Sequence, residues 1–187
     1  MEHPVWSRIE KRLLQILSLP HNAADLRRQG LSPEAAAAKK VAEIRSGLSG
    51  VPTEETFTGP KLFLRVVGPA NRAYSGEWWF DADLQHGLEA AYARIYFQST
   101  DRHVAIRNML RELLAVSSEW NAITEVWALE VPAGEALTGY SGPGTPQALF
   151  ANVPLTAKGN RLLSGGPRQI FFPVKNPLWV KPYRLLA

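Results

Sequence analysis

The chain has 187 residues, nearly half of them hydrophobic, which is enough to bury a core without covalent staples. It has no cysteine, so disulfides and thiolate metal sites are excluded, and no apolar run approaches the roughly 20 residues of a membrane span. The net charge of +4 is unevenly spread: no acid follows Glu135, whereas Lys158, Arg161, Arg168, Lys175, Lys181 and Arg184 do, so the C-terminal part is expected to attract anions.

In chain order, Val5, Trp6, Ile9, Leu13, Leu14, Ile16 and Leu17 recur at spacings of three and four, predicting a helix that stops before Pro20. Asn22 is placed to cap a second helix ending at Gly30. Ser32-Pro33 gives an N-cap and a first-turn proline to the alanine-rich run from Glu34 to Arg45. The Gly-, Ser-, Pro- and Thr-rich stretch from Ser46 to Gly59 reads as a linker. This gives an expected N-terminal helical segment, residues 1–57, acting as cap, docking or delivery element, ahead of a domain from 58 to 187.

From Lys61 the period becomes that of strands. Leu62-Phe-Leu-Arg-Val-Val67 reads as a buried strand with Arg65 at its middle. Unless the strand points it outward, a guanidinium there needs a carboxylate, backbone carbonyls or a ligand phosphate. Tyr74-Ser-Gly-Glu-Trp-Trp-Phe80 follows. Adjacent tryptophans in a strand face opposite sides, so one of Trp78 and Trp79 is free to line a cleft and stack on a flat ring. Two helices are expected next, over Asp83 to Gln98 and after a Ser99-Thr100-Asp101 cap. His86 and His103 have no ligand partner at i+4, so no metal site is expected. Thr124 to Val131 reads as a strand and Tyr140 to Pro146 as a turn-rich loop. Gly165-Gly166 then make a turn that aims Gln169 at the start of the apolar strand Ile170-Phe171-Phe172. The order of elements gives an α+β fold, and no phosphate-loop, dinucleotide or nucleophile-elbow motif is present.

Arg65 in its strand, Ser75-Gly-Glu-Trp-Trp, Ala128-Leu-Glu-Val-Pro-Ala-Gly134 and Leu163-Ser-Gly-Gly-Pro-Arg-Gln-Ile-Phe-Phe-Pro173 together resemble the ADP-ribosyltransferase-type toxin domains of bacteria. That group includes the NAD glycohydrolase effectors at the ends of polymorphic toxins. The resemblance spans residues 61 to 173 and implies a split β-sheet core with flanking helices. It also implies that Arg65 grips the NAD pyrophosphate or holds the site open, that Ser75, Gly76, Trp78 and Trp79 form the nicotinamide pocket, and that Gln169 occupies the catalytic position of the last strand. NAD or NADP is then a substrate, with no permanently bound cofactor. The implied partners are a cognate immunity protein and, for a transferase, a protein or RNA acceptor. The implied location is the target-cell cytoplasm, after secretion without a cleaved signal peptide.

The sequence departs from that family in having no Glu-x-Glu pair beside Gln169. A neutral amide is a poor base for activating a macromolecular acceptor, whereas water attacking an oxocarbenium-like ribose asks for little base, so hydrolysis is favoured over transfer. Glu77, Glu130 and Glu135 are the acids considered for a contributing carboxylate. The reading from another class is a non-enzymatic module that binds nucleic acid or protein through the basic, aromatic C-terminal region.

Overall fold

The computed structural model describes residues 3–68, 76–81 and 101–183. Three helices open the chain: α1 (Pro4–Leu17), α2 (Pro20–Arg28) and α3 (Pro33–Gly47). The His3 side chain accepts from the Val5 amide and Ser32 Oγ from the Ala35 amide, each just ahead of a first-turn proline, so both start signals act as capping chemistry requires. Asn22 is not a cap. It lies inside α2 and donates its amide to the Ile16 carbonyl at 2.8 Å, tying α2 to the end of α1, while Pro20 supplies the start. Ile9, Leu13 and Leu17 form the buried stripe of α1, and Ala36, Ala37, Val41 and Ile44 that of α3. No described helix is long and apolar enough to cross a membrane.

The strands are β1 (Thr53–Thr58), β2 (Lys61–Val67), β3 (Trp78–Asp81), β4 (Glu125–Val131), β5 (Ala136–Pro143), β6 (Gln147–Ala148), β7 (Leu162–Leu163), β8 (Arg168–Phe171) and β9 (Val180–Tyr183). The fold is α+β, as expected. Seven strands form an antiparallel sheet in the order β1-β5-β8-β3-β2-β4-β9, and β6 pairs with β7 in a small second sheet. The two halves expected of a split sheet are joined at β8 and β3 by the pairs Trp78↔Phe171, Trp79↔Ile170 and Phe80↔Gln169, so the hydrogen-bonded ladder is continuous there. The parting comes one strand further on. β3 pairs with β2 only at Phe63↔Asp81 and Leu64↔Phe80, after which β2 runs on to Val67 without it.

Two loop assignments are corrected. The linker from Ser46 to Gly59 contains the last turn of α3 and all of β1, and the 57/58 boundary falls inside that strand. β1 is an edge strand paired only with β5, so its run of Thr and Glu is suited to solvent and carries no apolar alternation to read. The loop from Tyr140 to Pro146 begins as the second half of β5. Gly139, in the middle of that strand, serves close packing: a Cβ there would lie 2.7 Å from the Phe172 ring.

The Asp83–Gln98 helix lies outside the described residues. The other is α4 (Arg102–Leu113), capped by Asp101, whose side chain accepts from the Val104 amide at 3.1 Å. Helices cover the sheet in two separate patches. α1, α2 and α3 pack on Tyr140 and Phe171, and α4 packs Ile106 and Leu110 on Leu64, Phe80, Val126 and Ala128. A further core cluster gathers Phe63, Trp79, Leu129, Ile170 and Phe172.

Candidate functional site

Between those two helical patches lies a cavity of about 570 Å³, in the size range of small-molecule sites. The C-terminal end of α3 forms one wall, and the residues that end α4 form another. Its floor comes from three neighbouring strands, β8, β3 and β2. Arg65, Trp78, Trp79 and Gln169 all border it, so the structure brings together four residues singled out from three separate stretches of sequence.

Arg65 is the first β2 residue beyond the last pair with β3, and so sits at the fork where those strands part. Its guanidinium lies on the backbone of Gly76: an added Cβ there would be 0.7 Å from Nη1. Nη1 is buried and has no hydrogen-bond partner among the described residues. Burial pulls the Arg65 pKa down and nearby Glu77 pushes it back up, but an arginine stays charged, so a cation is held here short of one bond. Ser75 lies outside the described residues.

The adjacent tryptophans separate as strand geometry demands. Trp78 packs its indole edge-on to Phe171 at 5.1 Å on the helix-covered face and walls the cavity. Trp79 is 2% exposed; its indole N–H donates to the Gly76 carbonyl at 3.1 Å and its ring belongs to the core with Phe63 and Phe172. Trp79 therefore anchors Gly76 beneath Arg65, and the stacking surface is that of Trp78.

Gln169 is delivered as its turn predicts. Gly165 and Gly166 take φ of 56° and 92°, and their amides donate to the carbonyls of Glu112 and Gly144. Gln169 Nε2 donates to the Leu114 carbonyl at 2.9 Å, which leaves Oε1 and the second N–H of the amide to offer. Leu114 is the C-cap of α4, and Ala115 after it has φ of 48°, a left-handed conformation that costs a non-glycine residue about 1–2 kcal/mol and borders the cavity.

Each of the three side chains rests on a glycine. A Cβ would meet Arg65 Nη1 from Gly76, the Trp78 ring at 2.3 Å from Gly47, and Gln169 Nε2 at 2.4 Å from Gly144. Gly47 and Gly144 come from the stretches read as linker and loop, where composition alone gave no sign of such a role.

Several cavity residues escape the sequence reading. Trp120, 55% exposed, and Asn121, whose Nδ2 donates to the Val66 carbonyl at 3.0 Å, follow α4 and form the rim. An exposed tryptophan in the polar run Ser117-Ser-Glu-Trp-Asn121 was a usable signal. The acids considered for the site are elsewhere or committed: Glu130 pairs with Lys181 at 2.6 Å, Glu135 does not border the cavity, and Glu77 pairs with Lys40 at 2.7 Å. Among the described residues, the one carboxylate in the lining is Glu43 of α3.

The basic C-terminal part is largely neutralised by earlier acids. Arg161 pairs with Glu112, Arg168 with Glu55 and Lys181 with Glu130. Lys175 differs. Its ammonium lies over the Trp79 ring, 5.8 Å from the centroid, and burial pulls its pKa down to about 8, helped by Arg65 and Lys40 and opposed by Glu77. Arg65, Lys40 and Lys175 thus lie close together with Glu77 among them, a concentration of positive charge that favours an anion. Because the folded chain lets go of this proton about two pH steps before an unfolded lysine does, stability should rise with pH between about 8 and 10. Thermal melts across that range test this: Lys175→Met should melt higher than wild type at pH 7, with the gap closing by pH 10.

No family model matches the sequence, and no curated protein matches it. Among solved structures, the chain is similar to one described as Rhs1-CT in complex with cognate immunity protein RhsI1. The TM-score is 0.41 at 13% identity, over 72% of this chain and 79% of that one. A superposition this loose carries nothing about activity, and the cavity stands on its own geometry.

Proposed function

We propose that this chain is an NAD(P)+-consuming toxin domain that cleaves the bond between nicotinamide and ribose, with water as the acceptor. The observation that carries this reading is the buried Nη1 of Arg65, without a partner among the described residues and fixed over Gly76 in a cavity that also holds the Trp78 indole and the Gln169 amide. A planar guanidinium short of a partner, with Lys175 close by, suits a pyrophosphate, which accepts two parallel bonds and adds the missing negative charge. An indole face suits the nicotinamide ring while it is cationic and releases it more readily once it is neutral. Gln169 Oε1 can accept from a ribose hydroxyl and hold C1′ at a fixed angle to the leaving ring.

The reaction needs little more. The bond from C1′ to the ring nitrogen breaks with its electron pair leaving on nicotinamide, and a water oxygen bonds to the cationic carbon and releases one proton. A producing cell must protect its own dinucleotide pool, so the proposal includes a cognate immunity protein and action in the cytoplasm of a target cell.

The test is to incubate the full chain with NAD+ and with NADP+ and to follow free nicotinamide. Release in buffer, reduced ~10²-fold or more by Gln169→Ala, is the expected result. Release only with a cell lysate, together with a labelled macromolecule, would make the chain an ADP-ribosyltransferase. No release under either condition, with salt-sensitive binding of nucleic acid, would make it a binding module.

A further inference from the structure

We infer that Glu43, on the last turns of α3, is the catalytic base of this cavity, taking the proton from the water that attacks ribose C1′. The inference rests on the NAD(P)+ reading above and adds a residue to it. Among the described residues lining the cavity Glu43 is the one acid and Arg65 the one permanent cation. The floor therefore offers a grip for phosphate and the α3 wall an acceptor for a proton.

The carboxylate is not engaged in holding the fold. Glu43 is half-buried, and among the described residues the hydrogen bond from Ser46 Oγ at 3.0 Å goes to its backbone carbonyl while none reaches its carboxylate. Lys40, one turn back on the same helix, is committed to Glu77 at 2.7 Å and also lies over the Phe171 ring. The neighbouring charges are Glu77 from the segment before β3 and Lys40 and Lys39 from α3 itself; desolvation and then Glu77 raise the Glu43 pKa, against the two lysines. A carboxylate disposed to accept a proton, in a walled space with no bond of its own, has the properties of a general base. The bland alternative is a glutamate on a solvated helix face. It does not account for a position on the cavity wall, where Gly47, one turn along, lets the Trp78 ring pack against the helix.

The step balances as a hydrolysis. Nicotinamide leaves with the electron pair of the C1′–N bond, the water oxygen forms the new bond to C1′, its proton passes to the Glu43 carboxylate, and Glu43 returns it to solvent.

The experiment compares wild type, Glu43→Gln and Glu43→Ala as full chains, measuring nicotinamide release against pH and NAD+ affinity. Glu43→Gln is expected to lower kcat ~10²-fold or more while KM stays within about threefold, and to lose the acid limb of the wild-type pH profile. Glu43→Ala is expected to regain rate when formate is added to fill the vacated space. Glu43→Gln turning over within about threefold of wild type with the same acid limb would overturn the assignment and leave the NAD(P)+ reading standing. So would a Glu43→Ala variant that loses NAD+ affinity and is not rescued by formate, since that is the pattern of a structural role. A wild type that releases no nicotinamide from either dinucleotide overturns both.

Discussion

Gly76→Ala is expected to abolish nicotinamide release almost as completely as Arg65→Ala, although it adds a single methyl group and removes nothing that touches a ligand. The added Cβ would stand 0.7 Å from Nη1, 1.4 Å from Cζ and 1.9 Å from Nη2 of Arg65, so the whole guanidinium must leave its place. What blocks the methyl is the far end of a flexible side chain rather than backbone, and the fold can yield there. Gly76→Ala should therefore melt within a few degrees of wild type while its rate falls ~10²–10³-fold, the usual loss when one positioned donor is removed. Arg65→Lys should not restore the rate, because an ammonium cannot reproduce the planar fork. A Gly76→Ala enzyme that retains more than about a third of the wild-type rate would show that the guanidinium works from another position, and the pyrophosphate assignment would fall.

The residues that chemistry would use were readable because each breaks a local pattern: a charge inside an apolar strand at Arg65, paired tryptophans at Trp78 and Trp79, and a polar residue after a double-glycine turn at Gln169. That they border one cavity was implied by the family resemblance and by no local pattern, since it depends on β3 pairing with β8 at one end and leaving β2 at the other. The seats beneath them were hidden for a different reason. Gly47 and Gly144 have no meaning until the Trp78 ring and the Gln169 amide arrive from elsewhere in the chain. Glu43 was hidden by its surroundings: in a helix of alanine, lysine and glutamate one more acid reads as solvated surface, and only the cavity beside it separates it from Glu34. β1 and the second half of β5 did not read as strands because an edge strand of Thr and Glu, and a strand end of Tyr-Ser-Gly-Pro, both lack the apolar alternation that marks a half-buried sheet.

Removing residues 1–47 is expected to leave a chain that neither unfolds cooperatively nor releases nicotinamide, the outcome that separates a helical layer of the fold from a detachable cap. The deletion takes away Leu13 and Ile44, both fully buried, and uncovers Tyr140 and Phe171, which are at most 1% exposed in the intact chain. Re-exposing a large apolar side chain costs about 1.5–3 kcal/mol, so uncovering Tyr140 and Phe171 alone reaches the lower end of the ~5–15 kcal/mol that holds a typical domain together. The same deletion severs the Lys40–Glu77 pair and the 2.9 Å bond from the Thr145 amide to the Gly47 carbonyl, and it removes the helix end that backs Trp78 and carries Glu43. Ile44→Ala is the milder form of the experiment. It should lower unfolding stability by ~2–5 kcal/mol in urea titrations and leave a foldable chain. If residues 48–187 alone gave a cooperative transition and wild-type nicotinamide release, the helices would be a cap over a self-sufficient sheet, and both the wall they lend the cavity and the role of Glu43 would be dispensable.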